Sequence, residues 1–227
     1  MLLTRINYFS RNNFSIYKYI PKNFGNTFYL DMEHFINWLK KQDNHVKGDM
    51  FENFAKYYFL DKGATNVYIN RKNSTNPIPE SIKKSLDINK DIGVDLVVEY
   101  NKPLIPTTYD FVQVKFRNKN ILNWKEISTF FGCKSVYTSM RIRKWYIFTN
   151  CESMSRNCPI VDSFKYITLE NLLNNVKCDR IINNYFIYNK KNDQYNIKEN
   201  YDTSIFSMSS IHSAISSISD KFTSWNK

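Results

Sequence analysis

The sequence predicts an α/β protein with a mixed central β-sheet flanked by helices. Three observations predict it. Helix-period and strand-period segments succeed one another in the order helix, strand, strand, strand, helix, strand, which builds a sheet with helices on its faces. The 227 residues suffice for one good-sized domain with an appendage at each end, and 42% apolar residues supply a packed core. The stretch YDFVQVKFR, residues 109 to 117, alternates as a strand, with Val112, Val114 and Phe116 on one side.

MEHFINWLKK (32 to 41) reads as a helix with Phe35, Ile36 and Leu39 on one side. A second helix opens at Gly48 and Asp49 and runs through DMFENFAKYYFL. Asp49 is its expected N-cap, and Glu52 stands where a capping box places an acid. Phe51, Phe54, Ala55, Tyr58 and Phe59 form the buried face, with Glu52 at its edge. Lys62 and Gly63 stop this helix. ATNVYINRK (64 to 72) reads as a strand. Residues 73 to 90, with Pro77 and Pro79, read as a loop.

IGVDLVVEY (92 to 100) is a strong strand, with Val94, Leu96 and Val98 expected on one face and Val97 on the other. NKPLIPTT turns the chain into the strand 109 to 117. Trp124 to Met140 is expected to be helical, with Ile127, Phe130, Phe131 and Val136 at helical spacing. KWYIFTN (144 to 150) is a further strand, and KYITLENLLNN (165 to 175) gives a short strand and then a helix. Trp124 and Trp145 read as core or rim rather than as platforms for bases. The expected organisation is a basic N-terminal extension over 1–31, a domain over 32–178, and a C-terminal extension over 179–227. In the last, Met208, Ile211, Ile215, Ile218, Phe222 and Trp225 make a heptad-like stripe. That stripe suits a helix packed on its own domain, or one docking a second copy or another partner.

Lys and Arg outnumber Asp and Glu by 11, which suits a polyanionic partner, either nucleic acid or an anionic membrane, or else a generally basic surface. The four cysteines include no C-x-x-C pair and have no histidine nearby, so zinc and disulfide frameworks are not expected and a reducing compartment fits. No apolar run reaches the roughly 20 residues of a membrane span. The first 30 residues carry arginines and lysines and no acid. That start reads as a mitochondrial presequence or as an ordinary basic extension, and lacks the apolar core of a secretory signal. The expected location is intracellular: the mitochondrial matrix, with cytoplasm or nucleus as the alternative.

The other face of strand 109–117 carries Phe111, Gln113, Lys115 and Arg117. Asp95 sits between apolar neighbours on the preceding strand, where a charge is costly unless paired or metal-bound. If the two strands pair, Asp95, Gln113 and Lys115 converge at one end of the sheet, and Glu52 can look down toward them. Carboxylates, an amide oxygen and backbone carbonyls, such as that of Val114, are hard ligands suited to Mg²⁺ or Mn²⁺. Lys115 beside them would offset phosphate charge or orient a water.

GDMFE (48 to 52), DIGVD (91 to 95) and FVQVKF (111 to 116) resemble the PD-(D/E)XK nuclease superfamily, in particular its Mrr-like (type IV restriction endonuclease) catalytic domain. The pattern is also similar to the nuclease domain of type ISP restriction enzymes and to a fungal mitochondrial family. The resemblance covers about residues 48 to 150. It implies a restriction-endonuclease-like αβββαβ core and Mg²⁺-dependent hydrolysis of DNA phosphodiesters. It implies that Asp95 binds the metal, that Gln113 stands where many relatives have a second acid, that Lys115 activates water, and that Glu52 completes the metal site. Arg117, Lys119 and Lys125, with Arg141, Arg143 and Lys144, are the candidate phosphate contacts. GCKS (132 to 135) is not a phosphate-binding loop, so a helicase motor would have to come from a partner. Two other readings stand beside the endonuclease: a nuclease-fold protein that binds DNA or a partner without cutting, and a membrane-surface protein.

Overall fold

The computed structural model describes residues 30–71, 74, 76–88, 93–158 and 162–198. The basic start up to residue 29 and the stripe from Met208 to Trp225 lie outside the described residues. The described residues fall into two compact units, the first ending at Asn183.

The first unit opens with α1 (Met32–Lys41) and α2 (Asn44–Asp61). The N-cap of α2 is Asp43, whose carboxylate accepts the N–H groups of His45 and Val46. Asp49 therefore lies inside the helix, and the expected capping box with Glu52 does not exist. The helix runs straight through Gly48 because its aromatic residues are anchored by packing, which outweighs the roughly 1 kcal/mol propensity cost of glycine.

Next come β1 (Asn66–Ile69), α3 (Glu80–Leu86), β2 (Leu96–Lys102) and β3 (Ile105–Lys115). The segment expected to be loop contains α3. Ile78, Ile82 and Leu86 recur every fourth residue and are buried, and Pro79 stands just ahead of the first turn, where proline costs nothing. The chain continues through β4 (Ile121–Leu122), a 3-10 turn at Trp124–Glu126 and α4 (Ser128–Val136). It then runs through β5 (Ile142–Thr149), β6 (Ser153–Met154), β7 (Phe164–Ile167), α5 (Leu169–Leu173) and α6 (Val176–Tyr185). Helix α4 is shorter than its periodicity suggested. Val136 is exposed, while Tyr137 leaves the helix and turns its ring edge-on to Phe111 in the core. The second unit holds a hairpin of β8 (Phe186–Asn189) and β9 (Gln194–Ile197).

The main sheet has five strands in the order β1-β2-β3-β5-β7. β1, β2 and β3 are antiparallel; β3, β5 and β7 are parallel. Taken with α2 and α4, this is the expected mixed central sheet flanked by helices, in the order αβββαβ. α2 covers one face, where Phe148 of β5 contacts the rings of Phe51, Phe54, Tyr58 and Phe59. α3 and α4 cover the other, where Phe130 and Trp145 meet at 5.4 Å beside Phe111. All four cysteines are free, and no described helix is long and apolar enough to cross a membrane.

Candidate functional site

The site grows from an irregularity where β2 begins. The N–H of Asp95 donates to the carbonyl of Val112 at 2.9 Å, although the ladder pairs Val112 with Leu96. Two residues of one strand thus face one of the other, which is a β-bulge, and bulges redirect side chains. This one breaks the expected alternation. Val94 joins Val97 in the cluster beneath α4, instead of lying with Leu96 and Val98. The Asp95 carboxylate turns across the strand pair, and its Oδ2 accepts the N–H of Val114 at 2.7 Å.

Asn70, directly after β1, fixes the same segment from the other edge. Its N–H donates to the Asp95 carbonyl at 2.8 Å, and its Nδ2 donates to the Val94 carbonyl at 2.9 Å. Gly93 makes the entry to the bulge. Its φ is +83°, a conformation that L side chains rarely adopt, and a Cβ there would stand 3.0 Å from Nε2 of Gln113.

Gln113 is 2% exposed, and its Oε1 has no hydrogen-bond partner among the described residues. Buried acceptors are nearly always satisfied, so an orphan of this kind needs a reason. Lys115 ends β3 two residues on, partly exposed. Glu52 reaches the same place from α2. Burial pushes its carboxyl up to about 7, the Asp95 carboxylate adds to the rise, and the Lys115 ammonium opposes it. Arg71 Nη2 lies 3.4 Å from Glu52 Oε2, and the same guanidinium pairs with Asp49. Arg71 therefore pulls with Lys115 against a shift that burial dominates.

The structure thus brings the charges of Glu52, Asp95 and Lys115 within reach of one another and ties Asp95 to the Val114 N–H, while the Gln113 amide lies against Gly93 on the face that α4 covers. Among the described residues no group of three or more His, Cys, Asp or Glu stands close enough to hold a metal. The donor set is two carboxylates and one amide oxygen, all hard oxygen donors. The orphaned Gln113 oxygen and the proton-holding Glu52 are two groups that a divalent cation would satisfy, so the residues present fit such an ion.

The candidate phosphate contacts divide. Arg117 is tied to Glu126, and its Nη1 donates to the Phe116 carbonyl at 2.8 Å. Lys119 and Lys125 are exposed. Arg143 and Lys144 stand at the other end of the sheet, since Lys144 pairs with Asp110 while Lys115 pairs with Thr149. Trp145 is core, and Trp124 packs against Phe131 at 5.0 Å.

No family model matches the chain, and neither does any curated protein. Among solved structures the chain is similar to the ATP-dependent type ISP restriction-modification enzyme LlaBIII, solved bound to DNA. The two are 17% identical with a TM-score of 0.43 over 72% of this chain, which is 10% of that chain. A likeness of this size carries no argument about activity.

Asn70 and Arg71 are the positioning residues that the sequence reading missed. They sit in NRK, which reads as a strand end followed by solvated charge. Only the β1/β2 pairing brings them to the bulge.

Proposed function

We propose that this chain hydrolyses DNA phosphodiester bonds with a divalent metal, as an endonuclease with a Glu52, Asp95, Gln113-x-Lys115 site. The observation that carries this reading is the meeting of the Glu52 and Asp95 carboxylates with the Lys115 ammonium at one end of β3, where the buried Gln113 also leaves its Oε1 unpartnered. Asp95, Gln113, Glu52 and the carbonyl of Val114 would hold Mg²⁺ or Mn²⁺, which supplies charge stabilisation at the phosphoryl group and a more acidic bound water. The chain's own residues do the rest. The Val114 N–H holds the Asp95 carboxylate in one orientation. Gly93 allows the Gln113 amide to lie close against the backbone. Arg71 fixes Glu52, which would hold a cation as the ionised carboxylate, without its proton. Lys115 orients the attacking water and offsets the phosphate charge. The excess of 11 positive charges suits a DNA substrate.

Gln113→Leu tests the reading. Removing an unsatisfied buried acceptor leaves stability within about 1 kcal/mol of wild type, while Mn²⁺ affinity measured by calorimetry falls about tenfold or more. Equal Mn²⁺ affinity in the two proteins, or no Mn²⁺ binding by wild type, would overturn it.

A further inference from the structure

A second feature lies on the α2 face of the sheet, at the end away from Asp95 and Lys115. It is an open cleft of about 770 Å³ between the end of α2, the end of β2 and the starts of β5 and β7. Its volume falls within the roughly 300–1,000 Å³ of ordinary ligand sites. Five cations line it: Lys62, Lys102, Arg143, Lys144 and Lys165. None of the four lysines pairs with a carboxylate among the described residues.

Arg143 is held in place. It makes a bidentate pair with Asp110, at 3.0 and 2.7 Å, and Asp110 is fully buried beneath it. Its guanidinium also lies 4.0 Å from the centre of the Tyr100 ring. Tyr100 and Tyr146 are half-buried and Tyr58 is nearly covered, so rings form the floor among the cations. A smaller cleft of about 180 Å³ shares Tyr100, Lys102 and Arg143 and continues over the β2–β3 turn along Ile105, Pro106 and Thr108. Together they make a groove that extends beyond the main cleft.

We propose that this groove binds single-stranded nucleic acid, with phosphates on the lysines and bases against the tyrosine rings. Lysines alone would suit any polyanion, and duplex backbone contacts need no rings. Cations interleaved with tyrosine side chains along a groove match a strand whose bases are unstacked and free to lie against aromatic groups. Lys144 pairs with Asp110, and Lys115 is five residues further along β3, so the groove lies roughly 16 Å from the hydrolytic site. The proposal does not need the metal chemistry.

The test is fluorescence anisotropy of a labelled oligothymidylate of about 12 nucleotides, a length near the usual single-strand site sizes, in EDTA so that no hydrolysis occurs. Lys102→Glu with Lys165→Glu lowers affinity about tenfold or more, and the slope of log affinity against log salt falls by about 1.4, the contribution of two phosphate contacts. Lys62→Glu with Lys144→Glu is a second pair that guards against a local folding defect and gives the same result. Lys40→Glu with Lys84→Glu carries the same charge change on exposed positions of α1 and α3 and lowers affinity less than about threefold, as screened distant charges should. Equal losses from the groove pairs and the control pair overturn the proposal. So does equal competition by a duplex of the same length, which would place the binding in backbone charge alone.

Discussion

Glu52→Gln converts the titration of one side chain into a stability measurement. The Glu52 carboxyl rises from its ordinary 4.5 to about 7, through burial first and the Asp95 carboxylate second. Between those values the folded protein holds a proton that the unfolded chain has released, so the metal-free fold loses stability as pH climbs through that window. Below pH 4.5 the contribution is fully present. A rise from 4.5 to about 7 corresponds to roughly 3 kcal/mol at pH 8. The side chain is 20% exposed and Arg71 lies 3.4 Å away, and both reduce the cost, leaving about 2 kcal/mol. Glutamine keeps the neutral shape and has no proton to lose. Urea unfolding in EDTA, followed by tryptophan fluorescence from pH 4 to 8.5, should show wild type and variant nearly equal at pH 4. By pH 8 the variant should be about 2 kcal/mol more stable. Saturating Mn²⁺ at pH 8 should reverse that order, because only wild type gains the full stabilisation of ligand binding. Parallel pH profiles, or a variant that is less stable by the same margin throughout, would refute the reasoning.

Other consequences follow from the same contacts. Gly93→Ala forces a side chain to a positive φ and sets a Cβ 3.0 Å from Gln113. It should cost about 1–2 kcal/mol in urea unfolding, with a further loss of Mn²⁺ affinity that a remote variant of equal stability does not show. Asp110→Ala removes the buried partner of Arg143 and should lower stability by about 2–3 kcal/mol, toward the low side for a broken buried pair because Arg143 is partly exposed. Phe148→Ala empties the centre of the ring cluster between α2 and β5. It should cost about 3–5 kcal/mol and show as a lower Tm in calorimetry.

The sequence made the fold legible because its core elements are strongly periodic. Val112, Val114 and Phe116 lie opposite Phe111 and Gln113, and Phe51, Phe54, Ala55, Tyr58 and Phe59 are all buried on α2 as the helical spacing requires. Helix boundaries were less legible. Asp49 with Glu52 looks like a capping box, but Asp43 caps the helix and Asp49 serves Arg71 instead. Two prolines hid α3, although Ile78, Ile82 and Leu86 keep a helical repeat through them. The approach of Glu52, Asp95 and Lys115 to one end of the sheet could be read from element order and spacing. The bulge at Asp95 could not, since one extra residue in a strand leaves no mark on composition or periodicity. The parts supplied by long-range pairing, Asn70 and Arg71 against the bulge and the lysines of four separate elements around one cleft, likewise have no local signal.

The most direct measurement is cleavage of supercoiled plasmid in Mg²⁺ and Mn²⁺ by wild type, Asp95→Ala and Lys115→Ala. The account predicts nicked or linear product from wild type with metal and none in EDTA, with both variants slower by at least about a hundredfold. Cleavage by all three proteins alike, or intact plasmid with wild type under conditions where it still binds DNA, would contradict it.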